Sequence, residues 1–149
     1  MTEAATHLHG SAIAVGSQGL LIIGAPGTGK STLALDMIAR GAQLVSDDQV
    51  AVQAEGARLM LSAPDPIAGL IEARGVGILK MPYLPAARLH LMVDLDRETP
   101  GRLPERKDHC LLGHQVPVIL GAGLKVLAPI LILLLTEAKL MDPDHPETA

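Results

Sequence analysis

The residues with the clearest chemistry run Gly24-Ala25-Pro26-Gly27-Thr28-Gly29-Lys30-Ser31-Thr32. Their pattern, G-x-x-x-x-G-K-S, is that of a loop whose backbone amides cradle phosphate oxygens. Gly24, Gly27 and Gly29 admit the turns such a nest needs, Lys30 brings a mobile positive charge, and Ser31 offers a hydroxyl to Mg²⁺. Further along the chain stand Asp47 and Asp48. Phosphoryl transfer needs one carboxylate toward the metal and one to orient or deprotonate the acceptor, and two adjacent aspartates can supply both.

Local elements must carry these groups to one place. The aliphatic run Leu20-Leu21-Ile22-Ile23 predicts a strand entering the loop, and Leu33, Ala34, Met37 and Ile38 form one stripe of an amphipathic helix leaving it, capped by Gly41. That helix leads away for roughly 18 Å at about 1.5 Å per residue. The next stretch, Ala42 to Ser46, predicts a parallel return strand of similar reach at about 3.3 Å per residue, which brings Asp47 and Asp48 level with the loop.

The bulk properties exclude several classes. A length of 149 residues with 48% hydrophobic content predicts a single domain over 1–149, with residues 1–7 and 142–149 as frayed tails. A net charge of -4 and a pI near 5.8 argue against a general nucleic-acid binder. The lone Cys110 permits no internal disulfide, no Cys/His spacing suggests zinc, and no signal-like segment opens the chain, so a cytoplasmic location is expected. The most apolar run, Val126 to Leu135, is about half the length that spans a bilayer, so no membrane partner is expected. Tyr83 is the only aromatic residue, so a nucleotide base would lie against aliphatic groups.

In chain order, residues 8–15 and 20–23 predict a hairpin feeding the loop, and residues 49–62 a second hairpin around Glu55-Gly56. Ile67, Leu70 and Ile71 read as a short helix, followed by Glu72-Ala73-Arg74-Gly75-Val76-Gly77. On spacing alone His9 is structural and Glu72 with Arg74 a surface ion pair. Residues 89–95 alternate as a strand, and 96–109 form a charged loop. A strand is expected at 116–120, with a helix from about Ala128-Pro129 to Met141.

These pieces together resemble the HPr kinase/phosphorylases, in the short form that consists of the kinase domain alone. The resemblance rests on His9-Gly10, the loop from Gly24 to Ser31, Leu44-Val45-Ser46-Asp47-Asp48, and the E-x-R-G-x-G stretch from Glu72 to Gly77, over residues 8 to about 80. It implies an α/β fold of P-loop kinase type, a mixed sheet with flanking helices and β-hairpins. It also implies ATP- and Mg²⁺-dependent phosphorylation of a serine on HPr, the small carrier of the phosphotransferase system, by a homo-oligomer, a hexamer in the long family members. Carried over by motif, Asp47 is the base for the serine hydroxyl and His9 a catalytic neighbour. Lys30 contacts the nucleotide phosphates, while Ser31 and Glu72 hold Mg²⁺.

One segment departs from the pattern. The family's P-V-R-P-G-R-type stretch is replaced here by Pro117-Val118-Ile119-Leu120-Gly121-Ala122-Gly123-Leu124-Lys125, without either arginine. The expectation is therefore the forward reaction without the phosphorylase, with Lys125, Arg102 or Arg106 supplying the missing charge. Two other readings stay open on the residues: a P-loop kinase of a small metabolite, and a non-catalytic nucleotide-binding module.

Overall fold

The computed structural model describes residues 4–102 and 107–139. Its centre is β3 (Gln18–Ile23), the aliphatic strand that enters the glycine-rich loop, with β9 (Ala87–Asp94) parallel beside it. Toward one edge β2 (Ser11–Val15) pairs antiparallel with β3, and β4 (Gln43–Ser46) antiparallel with β2. The return strand therefore runs in the direction of β3, as the helix and strand lengths require, but with β2 between the two.

Beyond β9 the sheet divides. The antiparallel strand β6 (Arg58–Ser62) pairs at Ala87 and Arg88, and the parallel strand β11 (His114–Leu120) at Met92 to Asp94, so both share the edge that β3 leaves free. From β6 the order continues through β5 (Gln49–Glu55) to β1 (Ala5–His9), while β10 (Lys107–Leu111) pairs with β11. The result is a large curled mixed sheet. A separate two-stranded sheet joins β7 (Leu70–Ala73) to β8 (Gly77–Lys80).

Strand alternation divides the core between two faces. Leu20, Ile22 and Val93 pack with Ala34 and Met37 of α1 (Lys30–Ala39) and with Leu127 and Leu131 of α2 (Leu127–Leu134). Leu21, Met92, Val52 and Leu61 pack on the opposite face. In β9 the register skips His90, pairing Leu89 with Gly19 and Leu91 with Leu20. The extra residue turns Leu89 to one core and Leu91 to the other.

Four expectations change here. Residues 5–7, expected to fray, belong to β1 and pair with Ala51 to Gln53; residues 142–149 lie outside the described part. The short helix around Ile67 to Ile71 is one 3₁₀ turn, Asp65–Ile67, followed by β7, because the chain leaves helical geometry at Ala68, with ψ of 129°, and at Gly69, with a left-handed φ of 80°. The charged loop ends at β10, which takes Lys107, Asp108 and His109. Helix α2 ends at Leu134, where Thr136 Oγ1 donates back to the Ile132 carbonyl at 2.8 Å. No helix of the described chain is long and apolar enough to cross a membrane.

Candidate active site

The turn from β3 into α1 is built from left-handed glycines, with φ of 154° at Gly24, 86° at Gly27 and 98° at Gly29. Gly24 is fixed by close approach as well, since a Cβ there would stand 2.7 Å from Thr28 Oγ1. Thr28 Oγ1 donates to the Ala25 carbonyl at 2.8 Å, and Lys30 Nζ donates to the carbonyls of Gly24 at 2.8 Å and Ala25 at 3.0 Å. Helix α1 has no side-chain cap at its N-terminus, so its first-turn N–H groups and dipole are available to an anion.

From the far side, Asp96 braces this loop. Its carboxylate accepts the Ala25 N–H at 2.9 and 3.0 Å, and its own N–H is held by Asp94 Oδ1 at 2.9 Å. Both residues follow directly from β9 lying beside β3.

At the end of β4 two adjacent aspartates part company. Asp47 is 4% exposed and turned inward, accepting hydrogen bonds from Ser11 Oγ, Ser31 Oγ and the Glu72 N–H. Asp48 is exposed, with a left-handed φ of 72° that is uncommon for an L residue and concentrates at functional sites. Its carbonyl accepts the Gly10 N–H at 3.1 Å, which ties it to the peptide next to His9.

Strand β7 completes the enclosure. Ile71 is fully buried in the α1 and α2 core, so alternation turns Glu72 to the other side, and Arg74 follows in the turn after β7. The outcome is a cleft of about 330 Å³ lined by Pro26, Gly27, Gly29, Lys30, Ser31 and Thr32 from the loop and helix, by His9, Ser11 and Asp48, and by Glu72 and Arg74. Such a volume suits a small ligand. Among the described residues no group of three or more His, Cys, Asp or Glu side chains can hold an ion unaided. The oxygen donors present, Ser31 and Glu72, fit a hard cation that completes its shell with substrate phosphates and water.

A model of the HPr serine kinase C-terminal domain matches residues 2–100. The chain belongs to that family. Relatives within it include the HPr kinase/phosphorylase of Geobacillus thermodenitrificans, 38% identical over 109 residues, or 68% of this chain and 35% of the relative. That of Chloroherpeton thalassium is 32% identical over 145 residues, covering 85% of this chain and 43% of its own. This chain thus spans less than half the length of these curated relatives. A solved structure, the HPr(Ser) kinase/phosphatase from Coxiella burnetii, superposes with a TM-score of 0.76 at 28% identity, covering 87% of each chain.

Within this family fold, most of the residues singled out by sequence converge on one cleft. Gly24, Ala25 and Thr28 shape the loop without lining the cleft, and Asp47 lies behind it. Neither Arg102 nor Lys125 lines it, and Arg106 lies outside the described residues. The expected Glu72–Arg74 surface pair is not formed; the ion pair within 4 Å among the described residues joins Arg40 to Asp36, on α1. Sequence reasoning missed Arg74, Ser11 and Asp96 as parts of the site. For Asp96 a signal existed, an apolar strand ending in Asp94-Leu95-Asp96; a buried serine at the start of β2 gives none.

Proposed function

We propose that this chain is an ATP-dependent, Mg²⁺-requiring kinase that phosphorylates a serine of HPr or an HPr-like phosphocarrier. One observation carries the reading: a single cleft gathers the glycine-rich turn, Lys30, Asp48, Glu72 and Arg74, the parts in-line transfer to a hydroxyl needs. The turn acts as the phosphate-binding loop, its amides and the start of α1 holding the β- and γ-phosphates, with Lys30 leaving its loop carbonyls to pair with phosphate oxygens. Ser31 and Glu72 would hold Mg²⁺, which when bound neutralises phosphate charge.

For the base we favour Asp48 over Asp47. A base must reach the acceptor hydroxyl, and Asp48 faces the cleft, whereas the buried Asp47 oxygens are already committed to three donors. In this reading the serine oxygen attacks the γ-phosphorus, its proton passes to the Asp48 carboxylate, and ADP leaves on the opposite side. His9, on the same wall, orients the acceptor. Arg74 takes the charge-stabilising role first assigned to Lys125, Arg102 or Arg106. The reading covers the forward reaction, since Pro117 to Lys125 lacks the family's arginines. A homo-oligomer remains part of the proposal on family grounds.

The test is incubation of the chain with γ-labelled ATP, Mg²⁺ and purified HPr, beside a parallel incubation with a small-metabolite extract. Label on a serine of HPr supports the proposal. Label on a small metabolite alone, or nucleotide binding without transfer, overturns it.

A further inference from the structure

Behind the cleft one carboxylate ties four elements together. Asp47 Oδ1 accepts from Ser11 Oγ at 2.6 Å and from Ser31 Oγ at 2.8 Å, while Oδ2 accepts from Ser31 Oγ at 2.9 Å and from the Glu72 N–H at 3.0 Å. The partners come from the start of β2, the first turn of α1 and β7, and Asp47 itself from the end of β4. Ser11 is the unexpected member. It is fully buried, as are Ala12, Ile13 and Ala14 after it, and a hydroxyl in such a place is costly unless bonded. Its single proton goes to Asp47.

We propose that Ser11 is a positioning residue for the cation site, acting through Asp47 on Ser31. A hydroxyl has one proton and two lone pairs. Shared between both Asp47 oxygens, the Ser31 proton points inward, and the lone pairs are left for the cleft. That direction holds only while the carboxylate plane is fixed. The terminal torsion of an aspartate is broad, so the plane is set by what bonds to its oxygens. Ser11 holds Oδ1 and the Glu72 N–H holds Oδ2, one on each side of Ser31. Without the Ser11 hydroxyl the carboxylate turns about the Glu72 bond, and Ser31 no longer presents its oxygen to a divalent ion. Loop amides and Lys30 are untouched, so phosphate binding without metal survives.

This inference rests on the Mg²⁺ role proposed above for Ser31, and the experiment separates the two. A non-hydrolysable ATP analogue is titrated into the full chain by calorimetry, in EDTA and at a series of Mg²⁺ concentrations. Wild type gains affinity with Mg²⁺. In Ser11→Ala the Mg²⁺ concentration giving half of that gain rises by about tenfold or more, the usual cost of removing a group that orients a metal ligand. Affinity in EDTA is unchanged, and Ser11→Thr, which keeps the hydroxyl, restores the wild-type response. In a Ser31→Ala background Ser11→Ala adds nothing, because its effect passes through Ser31. If Ser11→Ala lowers the melting temperature and leaves the Mg²⁺ response intact, the residue only braces β2 and the inference is overturned. Additive losses in the double variant overturn it too. A wild type indifferent to Mg²⁺ overturns the metal role itself.

Discussion

Exchanging each of the two adjacent aspartates for asparagine should produce opposite phenotypes. In Asp47→Asn the amide replaces one oxygen of a buried carboxylate that serves three donors, Ser11 Oγ, Ser31 Oγ and the Glu72 N–H. Both hydroxyls can turn to accept from an amide, so the bonds persist in neutral form. A hydrogen bond to a charged group contributes about 1.5–3 kcal/mol and a neutral one about 0.5–1.5, a loss of about 1 kcal/mol per donor. Three donors give about 3 kcal/mol, which at about 2–4 °C per kcal/mol for a chain of this size lowers the melting temperature by about 6–12 °C. Asp48→Asn alters an exposed side chain whose left-handed backbone asparagine tolerates well, so stability stays within about 0.5 kcal/mol. Its loss is in transfer to HPr, about 10²- to 10⁴-fold for a missing general base. Thermal unfolding by circular dichroism, paired with a labelled-phosphate assay on the same preparations, reads both. An Asp47→Asn variant that melts within about 2 °C of wild type, or an Asp48→Asn variant with normal turnover, refutes the division of roles.

Three further outcomes are expected. Arg74→Ala lowers transfer by about 10²-fold, whereas Arg102→Ala and Lys125→Ala, which lie off the cleft, keep the wild-type rate; steady-state kinetics on the three variants decides which cation takes the developing charge. Gly10→Ala places a Cβ 2.6 Å from the Ile22 carbonyl oxygen and forces the start of β2 away from β3, costing about 1–3 kcal/mol in a urea unfolding curve. Asp96→Ala frees the Ala25 N–H and loosens the loop, weakening ATP-analogue binding by about 1 kcal/mol, or roughly fivefold in Kd, by calorimetry.

What the sequence made legible was what local pattern encodes. The loop is spelled in glycines, α1 has a clean apolar stripe, and the reach of α1 and β4 fixes where Asp47 must come to rest. The sequence could not say which of two adjacent acids points inward, because that depends on one backbone angle at Asp48 rather than on residue type. β7 escaped notice because four residues are too few to show a period of two, and Ile67, Leu70 and Ile71 mimic a helical spacing. Leu8 is the one large apolar residue of β1, so the strand is legible from residue 8 and Ala5 to His7 give no sign of it. The end of α2 is hidden for the reverse reason: its residues are apolar on every side, and periodicity gives no stop.

The placement of β1 has a mechanical consequence. At its end of the sheet it pairs with β5 alone, and its last residue, His9, stands in the cleft. His9 is held there by its register opposite Gln49 of β5 and by the Gly10 N–H on the Asp48 carbonyl, so strand β5 and the aspartate turn together set one wall of the cleft.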